Sequence, residues 1–343
     1  MAWPKTSLTA GMASNSRLAE LTHFTGLRTR FVIVEIMSLL AYFCQMRCWR
    51  GGAHLIRENI CNTSNIAYDL GVPSLEQFID SRLAHGRAYF AREEVLAALD
   101  LKPGALSAAI TRLMKKRRLA NPRHGFYLIL RPEDLLAGAP DPVRWIDPLM
   151  KHQGVDYRIA LLRAAAFHGS SHQAAMVFQV VAPRQLRDFE IGRHRVQFLY
   201  QAPAAFAQVN QPAHLDQVKS DAGYAQVAGV ELTLLDCARY FHKAAGINAV
   251  AQIAKDIGAK ADPRTLTKLA AIYENSSVRR LGYLLERAGH MRQANALQAF
   301  VGRAKTPVPL DPSSQPLIES LAALHEKDAR WKLVINEPVE IDS

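Results

Sequence analysis

Residues 74–131 read SLEQFIDSRLAHGRAYFAREEVLAALDLKPGALSAAITRLMKKRRLANPRHGFYLILR, and this stretch decides the fold of the region around it. Three segments repeat apolar residues at helical spacing, which predicts three helices. The apolar residues are Leu75, Phe78, Ile79 and Leu83, then Val95, Leu96 and Leu99, then Leu106, Ala109, Ile110, Leu113 and Met114. The turn-forming residues 121–125 then precede a β-rich run at 126–130. Three helices followed by a small hairpin predict a winged helix-turn-helix domain over residues 71–131.

Positive charge is concentrated in the same stretch, because residues 101–132 contain eight Lys or Arg and no Asp or Glu. On the third helix, the outward face is small, polar or basic, which allows close approach to base edges in a DNA major groove. The basic residues after this helix suit DNA phosphates, and Arg123 is expected at the tip of the wing. A solvated basic helix end is the alternative, since the helix dipole also favours it. The candidate DNA-binding residues are Ser107, Thr111, Arg112, Lys115, Lys116, Arg117, Arg118 and Arg123.

The composition agrees with a nucleic-acid partner. The chain has 343 residues, which leaves room for two or three domains, and its net charge of +11 indicates an acidic partner. The four cysteines lack zinc-finger spacing and do not indicate a disulfide framework. We therefore expect a cytoplasmic protein without a structural metal.

Residues 1–70 differ from the rest of the chain. The run at 31–49, FVIVEIMSLLAYFCQMRCW, is nearly long enough to cross a membrane, but it contains Glu35, Gln45 and Arg47. Charged residues make it a poor spanning helix, and no signal-peptide cleavage site follows it. We interpret residues 1–70 as an extension without a settled fold; a buried amphipathic helix or a membrane anchor are the alternatives.

The remainder predicts an α+β fold. Residues 132–150 contain four prolines and are interpreted as a linker that lets the two parts fold independently. Residues 151–343 form the second domain: strand-rich over 151–230, helical over 231–300, with a short helix at 317–324 and a closing strand at 331–336 that could return to the same sheet. Within it we expect a helix at 157–167, a buried strand at 176–181 and a strand–turn–strand unit at 186–200.

No pattern in the sequence specifies catalysis. A nuclease needs clustered carboxylates and usually a lysine, and Asp188, Glu190 and Glu231 do not complete such a signature. His168 and His172 have metal-ligand spacing, but Gly-Ser-Ser between them indicates a loop and structural roles. Asp236 is interpreted as a carboxylate that is solvated or paired locally near Arg239. We expect no enzyme activity and no cofactor.

The order of elements resembles that of the AbiEi family of type IV antitoxins over roughly residues 74–338. The matching segments are RLMKKRRLANPRHGFYLIL, LLRAAAFHGSSHQ followed by MVFQVV, ELTLLDCARY, RRLGYLLERAG and WKLVIN. The resemblance implies a winged-helix repressor of its own toxin–antitoxin operon, with operator DNA expected to be an inverted repeat. It also implies a nucleotidyltransferase-like toxin, which the antitoxin counters without necessarily forming a stable complex, in abortive infection against phage. By the matching motif, Ser107, Thr111, Arg112 and Lys115 take the recognition-helix role, and Lys116, Arg117, Arg118 and Arg123 the phosphate and wing role.

Two other classes of function stay open. A winged-helix regulator that senses a small ligand would need a deep apolar pocket with convergent polar groups in residues 151–300. A nucleic-acid-processing enzyme would need Asp188, Glu190 and Glu231 to cluster in the fold.

The boundary near residue 71 leads to a first prediction. A chain that begins near Gly71 should fold and bind DNA as the full chain does, because the helical pattern starts at Leu75. Circular dichroism and DNA-binding isotherms measure both properties. Loss of solubility or of DNA binding would show instead that residues 1–70 pack on the rest of the chain.

Overall fold

The computed structural model describes residues 74–170, 177–220, 223–314 and 326–341. The expectations for residues 1–70, for His172 and for a helix at 317–324 lie outside the described residues. The described part of the chain has an α+β fold of helices and mixed sheets. None of its helices is long and apolar enough to cross a membrane.

Residues 74–131 contain the three expected helices. They are α1 (Leu75–Ala84), α2 (Arg92–Leu99) and α3 (Pro103–Lys115). Ser74 caps α1 through a reciprocal capping box with Gln77, and two acids lie in the first turn of α2. Asp100, in the left-handed conformation, forms the turn before α3, and Pro103 is the first residue of that helix.

The three helices pack on one another around a small core. Its members include Leu75, Ile79, Val95, Leu99, Leu106, Ile110 and Leu113. Met114 was expected in this core but is 40% exposed, since it lies in the last turn of α3.

A three-stranded antiparallel sheet completes this region, with strand order β1 (Tyr89–Ala91), β3 (Phe126–Ile129), β2 (Leu119–Arg123). Strand β1 was not expected from the sequence. The turn is also shorter than expected: β2 continues through Asn121 and Pro122 with a register shift, and only residues 124–125 connect it to β3.

Strand β3 is buried on both faces and joins two cores. Tyr127 and Ile129 pack among the helices α1 to α3, whereas Phe126 and Leu128 pack into the larger core of the following residues. This alternation follows from the period of two in a strand. The helical region is therefore attached through its own sheet.

The interpretation of residues 132–150 as a linker is wrong. Short helical turns at Pro132–Asp134 and Pro142–Arg144 and the helix α4 (Ile146–His152) occupy this segment. Trp145, Ile146 and Leu149 are buried in the larger core, and the Trp145 indole donates a hydrogen bond to the Pro140 carbonyl at 2.9 Å. The prolines therefore shape packed turns, and Val72–Ser343 forms one compact unit.

The larger core lies on a mixed six-stranded sheet with strand order β6-β7-β5-β4-β9-β8. The strands are β4 (Arg158–Ile159), β5 (Val177–Ala182), β6 (Phe189–Ile191), β7 (His194–Tyr200), β8 (Leu215–Ser220) and β9 (Gly223–Ala228). The expected buried strand and strand–turn–strand unit are present as β5 and as β6 with β7. The expected helix at 157–167 starts late, because Arg158 and Ile159 form β4 and only α5 (Leu161–Phe167) is helical. A further helix, α6 (Pro203–Val209), separates β7 from β8.

Helices follow the sheet, as expected for residues 231–300. They are α7 (Val230–Arg239), α8 (Gly246–Ile257), α9 (Pro263–Ala270), α10 (Asn275–Arg287) and α11 (Met291–Val301). Asp262 caps α9 by accepting from the Thr265 amide at 2.9 Å.

The closing strand does not return to the six-stranded sheet. Strand β12 (Leu333–Ile335) instead forms a small sheet with β10 (Val308–Pro309) and β11 (Glu326–Asp328). The preceding Trp331 is buried against α10 at Gly282, where a Cβ atom would overlap the indole ring. The Trp331 indole also donates to the Glu286 carboxylate.

A buried ion pair joins the sheet to the helices. Arg158 on β4 and Asp236 on α7 are both fully buried, and the guanidinium donates to both carboxylate oxygens at 2.8 and 2.9 Å. The Tyr273 hydroxyl donates to Asp236 Oδ1 at 2.6 Å, and burial raises its pKa well above the ordinary value. Gln201 Oε1 accepts from Arg158 at 2.8 Å. Asp236 is therefore neither solvated nor paired locally as expected, since Arg239 pairs with Glu274 instead.

We expect Asp236→Ala to lower the free energy of unfolding by about 3–5 kcal/mol, because it leaves the Arg158 guanidinium buried without a counter-charge. The double variant Arg158→Met with Asp236→Leu should lose less, since it buries no charge. Urea unfolding followed by circular dichroism measures both. Glu274→Ala is the matched control: its partly exposed pair with Arg239 should contribute less than about 1 kcal/mol. A double variant as unstable as Asp236→Ala would contradict this account.

Candidate nucleic-acid interface

The exposed face of α3 carries the residues that the sequence assigned to base contacts. Ser107, Thr111, Arg112 and Lys115 are all exposed. The Ser107 hydroxyl donates to the Pro103 carbonyl and the Thr111 hydroxyl to the Ser107 carbonyl, both at 2.9 Å. Because both hydroxyls bind the helix backbone, these two side chains project little from the surface of α3. Arg112 and Lys115 form no ion pair with any described residue.

Arg92 belongs to the same surface, although sequence reasoning did not select it. Its guanidinium donates to the Pro103 carbonyl at 3.0 Å and to the Ser107 hydroxyl at 2.9 Å. Arg92 is the first residue of α2, where the helix dipole disfavours positive charge. A positive charge at a helix N-terminus is unfavourable unless the side chain binds a partner in another element. The sequence could therefore have indicated that Arg92 contacts a residue outside α2.

The three basic residues after α3 have different surroundings. Arg118 lies 2.9 Å from Asp80, and Lys116 lies 3.7 Å from Glu76; both acids are exposed on α1. Exposed pairs of this kind are weak, so both charges still contribute to the surface. Arg117 is exposed, and its backbone is in the left-handed region with a φ of 53°. It has no ion pair among the described residues.

Arg123 does not extend into solvent as a wing tip would. Its guanidinium lies 4.4 Å from the centroid of the Phe189 ring and 5.8 Å from that of Phe198, and it donates to the Arg187 carbonyl. Desolvation by these neighbours lowers its pKa. The assignment of Arg123 to a phosphate-contacting wing therefore does not fit: the side chain holds the β2–β3 hairpin against β6 and β7.

The carboxylates weighed for catalysis lie in separate environments. Asp188 accepts from the Phe198 amide at 2.8 Å, and Glu231 accepts from the Asp262 amide at 2.6 Å. Glu190 lies 4.0 Å from Arg195. Within the residues that the structure describes, no cluster of three or more His, Cys, Asp or Glu could hold a metal ion. His168 has a structural role, since its Nε2 lies 2.7 Å from the Ala228 carbonyl.

A cavity of about 450 Å³ lies between α4 and the β8–β9 hairpin. Tyr157 and Asp147 meet there at 3.3 Å, and Lys151 lies 2.6 Å from the other Asp147 oxygen. Burial and the Asp147 charge raise the pKa of Tyr157. The walls are mixed, because polar residues such as Asp156, Gln217 and Gln226 lie beside the apolar Val155 and Leu215. This is not the deep apolar pocket that the ligand-sensing alternative requires.

Comparisons with known proteins support the family and the fold. Residues 158–287 match the family model described as the AbiEi antitoxin C-terminal domain. No curated protein sequence gives a significant match. Among solved structures, the crystal structure of the RV2827C protein from Mycobacterium tuberculosis is similar, with 18% identity and a TM-score of 0.55. The similarity covers 76% of this chain and 90% of that one, and at this identity it concerns the fold alone.

The position of Arg123 leads to a prediction about stability. Arg123→Ala should lower the free energy of unfolding by about 1 kcal/mol, because a cation held over an aromatic ring contributes on that order. Urea unfolding measures it. His124→Ala is the matched control, since His124 is exposed at the same turn. Equal stability of the two variants would show that the Arg123 contacts do not hold the hairpin.

Proposed function

We propose that this chain is the antitoxin of a type IV toxin–antitoxin system and the DNA-binding repressor of its own operon. The match of residues 158–287 to the model described as the AbiEi antitoxin C-terminal domain supports the antitoxin part of this proposal. The toxin in this proposal is a nucleotidyltransferase-like protein encoded by a neighbouring gene, and it is countered without an obligatory stable complex. The system acts in abortive infection against phage. The proposal assigns the chain no catalytic step and no cofactor.

The DNA-binding part of the proposal assigns residues 71–131 as a winged helix-turn-helix. One observation carries it: the exposed face of α3 presents Arg112 and Lys115, uncompensated by any described acid, above a face of small and hydroxyl side chains. A helix with such a face fits a major groove, where Arg and Lys donate to guanine O6 and N7. The order of the three helices and of the strands β1-β3-β2 supports the same assignment.

The neighbouring charges fit a supporting role. Lys116, Arg117 and Arg118 follow α3 directly, and phosphate contacts at this position would fix the register of the helix without reading sequence. Arg123 is removed from this role by its contacts with Phe189 and Phe198. Two copies on an inverted repeat would bring two such surfaces to one operator.

The packing of β3 decides which experiment can test DNA binding and protection against the toxin separately. Division of the chain between residues 132 and 150 would expose Phe126 and Leu128, which belong to the larger core. Fragments are therefore a poor test, and point variants of the full chain are preferable. Removal of charge from α3 leaves the core of residues 158–287 untouched.

We expect the double variant Arg112→Ala with Lys115→Ala to lose repression of the operon promoter and to retain protection against the toxin. The reason is that both side chains lie on the exposed face of α3. A promoter–reporter fusion measures repression, and growth during co-expression with the neighbouring toxin measures protection. In vitro, the double variant should lose the preference of the unchanged chain for the promoter duplex over a random-sequence duplex, because base contacts carry the sequence information.

The matched control is Lys268→Ala with Arg292→Ala, which removes the same charge from exposed positions on α9 and α11. It should repress and protect as the unchanged chain does. Repression that survives in the α3 variant would remove α3 from the interface. If the unchanged chain is abundant and fails to protect, the antitoxin assignment is wrong and a ligand-sensing regulator becomes the better reading.

A further inference from the structure

The β2–β3 hairpin packs on the six-stranded sheet. At this contact the side chain of Arg123 is partly buried, and the side chain of Arg187 beside it is exposed. Arg123 turns its guanidinium toward Phe189 and Phe198 and donates to the Arg187 carbonyl. The residue that supplies this carbonyl is itself an exposed arginine. The loop before β6 therefore binds the Arg123 guanidinium through a backbone carbonyl, while its own Arg187 side chain faces solvent.

The Arg187 side chain is uncompensated in the part of the chain that the structure describes. It makes no side-chain hydrogen bond and no ion pair there, although the acid Asp188 is its neighbour in sequence. Asp188 is oriented elsewhere: its Oδ1 accepts from the Phe198 amide at 2.8 Å. The negative charge of Asp188 acts on Arg123, where it opposes the lowering of the pKa by burial. Asp188 therefore offsets the charge of the docked Arg123 and leaves Arg187 without a compensating acid among the described residues.

The path from α3 to Arg187 is short. Strand β2 begins at Leu119, directly after the basic residues that follow α3, and it ends at Arg123, which contacts Arg187. Strand β2 lies beside β6 along this path. A five-residue strand is about 13 Å long at 3.3 Å per step. One turn of B-DNA is about 34 Å, so a single duplex can reach both ends of β2.

We propose that Arg187 contacts a phosphate of the DNA that α3 binds, so that the antitoxin domain supplies the wing contact that Arg123 cannot make. The DNA-binding surface then continues from residues 71–131 onto the loop before β6. The inference rests on the proposed DNA binding and extends it to a residue inside the span of the antitoxin family match.

A phosphate contact has a defined signature in binding. Arg187→Ala should reduce the slope of log affinity against log salt by about one, since one fewer counterion is released. It should weaken binding to a promoter duplex and to a random-sequence duplex by the same factor, because phosphates carry no sequence information. The Arg187 backbone carbonyl, which holds Arg123, is kept in this variant, so the fold is not at risk from loss of that bond.

The experiment uses the full chain and a duplex from the promoter region upstream of its gene, with isotherms at several salt concentrations. Arg187→Lys keeps the charge and should keep the slope. Arg292→Ala removes a charge from exposed α11 and should leave the slope unchanged. Urea unfolding of each variant checks that stability is unaltered.

The outcomes separate this inference from the function beneath it. Loss of preference for the promoter duplex in Arg112→Ala, together with an unchanged salt slope for Arg187→Ala, would overturn the role of Arg187 and leave the DNA-binding proposal intact. A slope that falls equally for Arg187→Ala and Arg292→Ala would reduce the effect to net charge and would also overturn it. No salt-dependent binding by the unchanged chain would overturn both proposals.

Discussion

The ion pair between Arg158 and Asp236 is the interaction on which the rest of the second region depends. It joins strand β4, which lies between β5 and β9, to the helix α7, and Tyr273, in the segment between α9 and α10, donates to the same carboxylate. Removing two charges from water costs free energy. The bidentate geometry of the pair and the hydrogen bonds of Arg158 with Gln201 and of Tyr273 with Asp236 offset this cost. The stacking of helices on this sheet is thereby fixed in one arrangement, since any sliding of α7 would separate buried charges. The AbiEi family match begins at Arg158 itself.

A second constraint couples the helical region to this body. Because β3 is buried on both faces, α3 cannot move relative to the six-stranded sheet unless one of two cores opens. Arg123 reinforces the arrangement from the edge of the hairpin. The proposed recognition surface and the six-stranded sheet thus belong to one compact unit, so the proposed contact by Arg187 can come from outside residues 71–131.

The sequence predicts the parts of this structure whose signals are local. Helical periodicity located α1, α2 and α3, and the run at 126–130 was recognised as β-rich because it is continuously apolar. A continuous apolar run also indicates a strand that is buried on both faces. A strand of this kind requires a second core close to residue 130, which argues against a flexible linker at residues 132–150 despite the four prolines there. Long-range partners are different: nothing near Arg123 indicates that Phe189 will cover it, and nothing near Asp236 indicates Arg158. Of the candidate site, the exposed α3 face could be predicted from its period, whereas the orientation of Arg123 and the presence of Arg92 depend on tertiary contacts.

The contact between Gly282 and Trp331 has a consequence for the order in which the molecule is built. Helix α10 has a notch that only glycine can provide, and the indole that fills it comes from the closing segment far along the chain. During synthesis the ribosome releases α10 well before Trp331, so the helix first emerges with an open apolar notch. Since domains fold as their chain emerges, this body can assemble its sheet and most of its helices early, but the notch on α10 is filled only after Trp331 has emerged. A ribosome that stops short of Trp331 would therefore release a chain with an unfilled, apolar and aggregation-prone surface on α10.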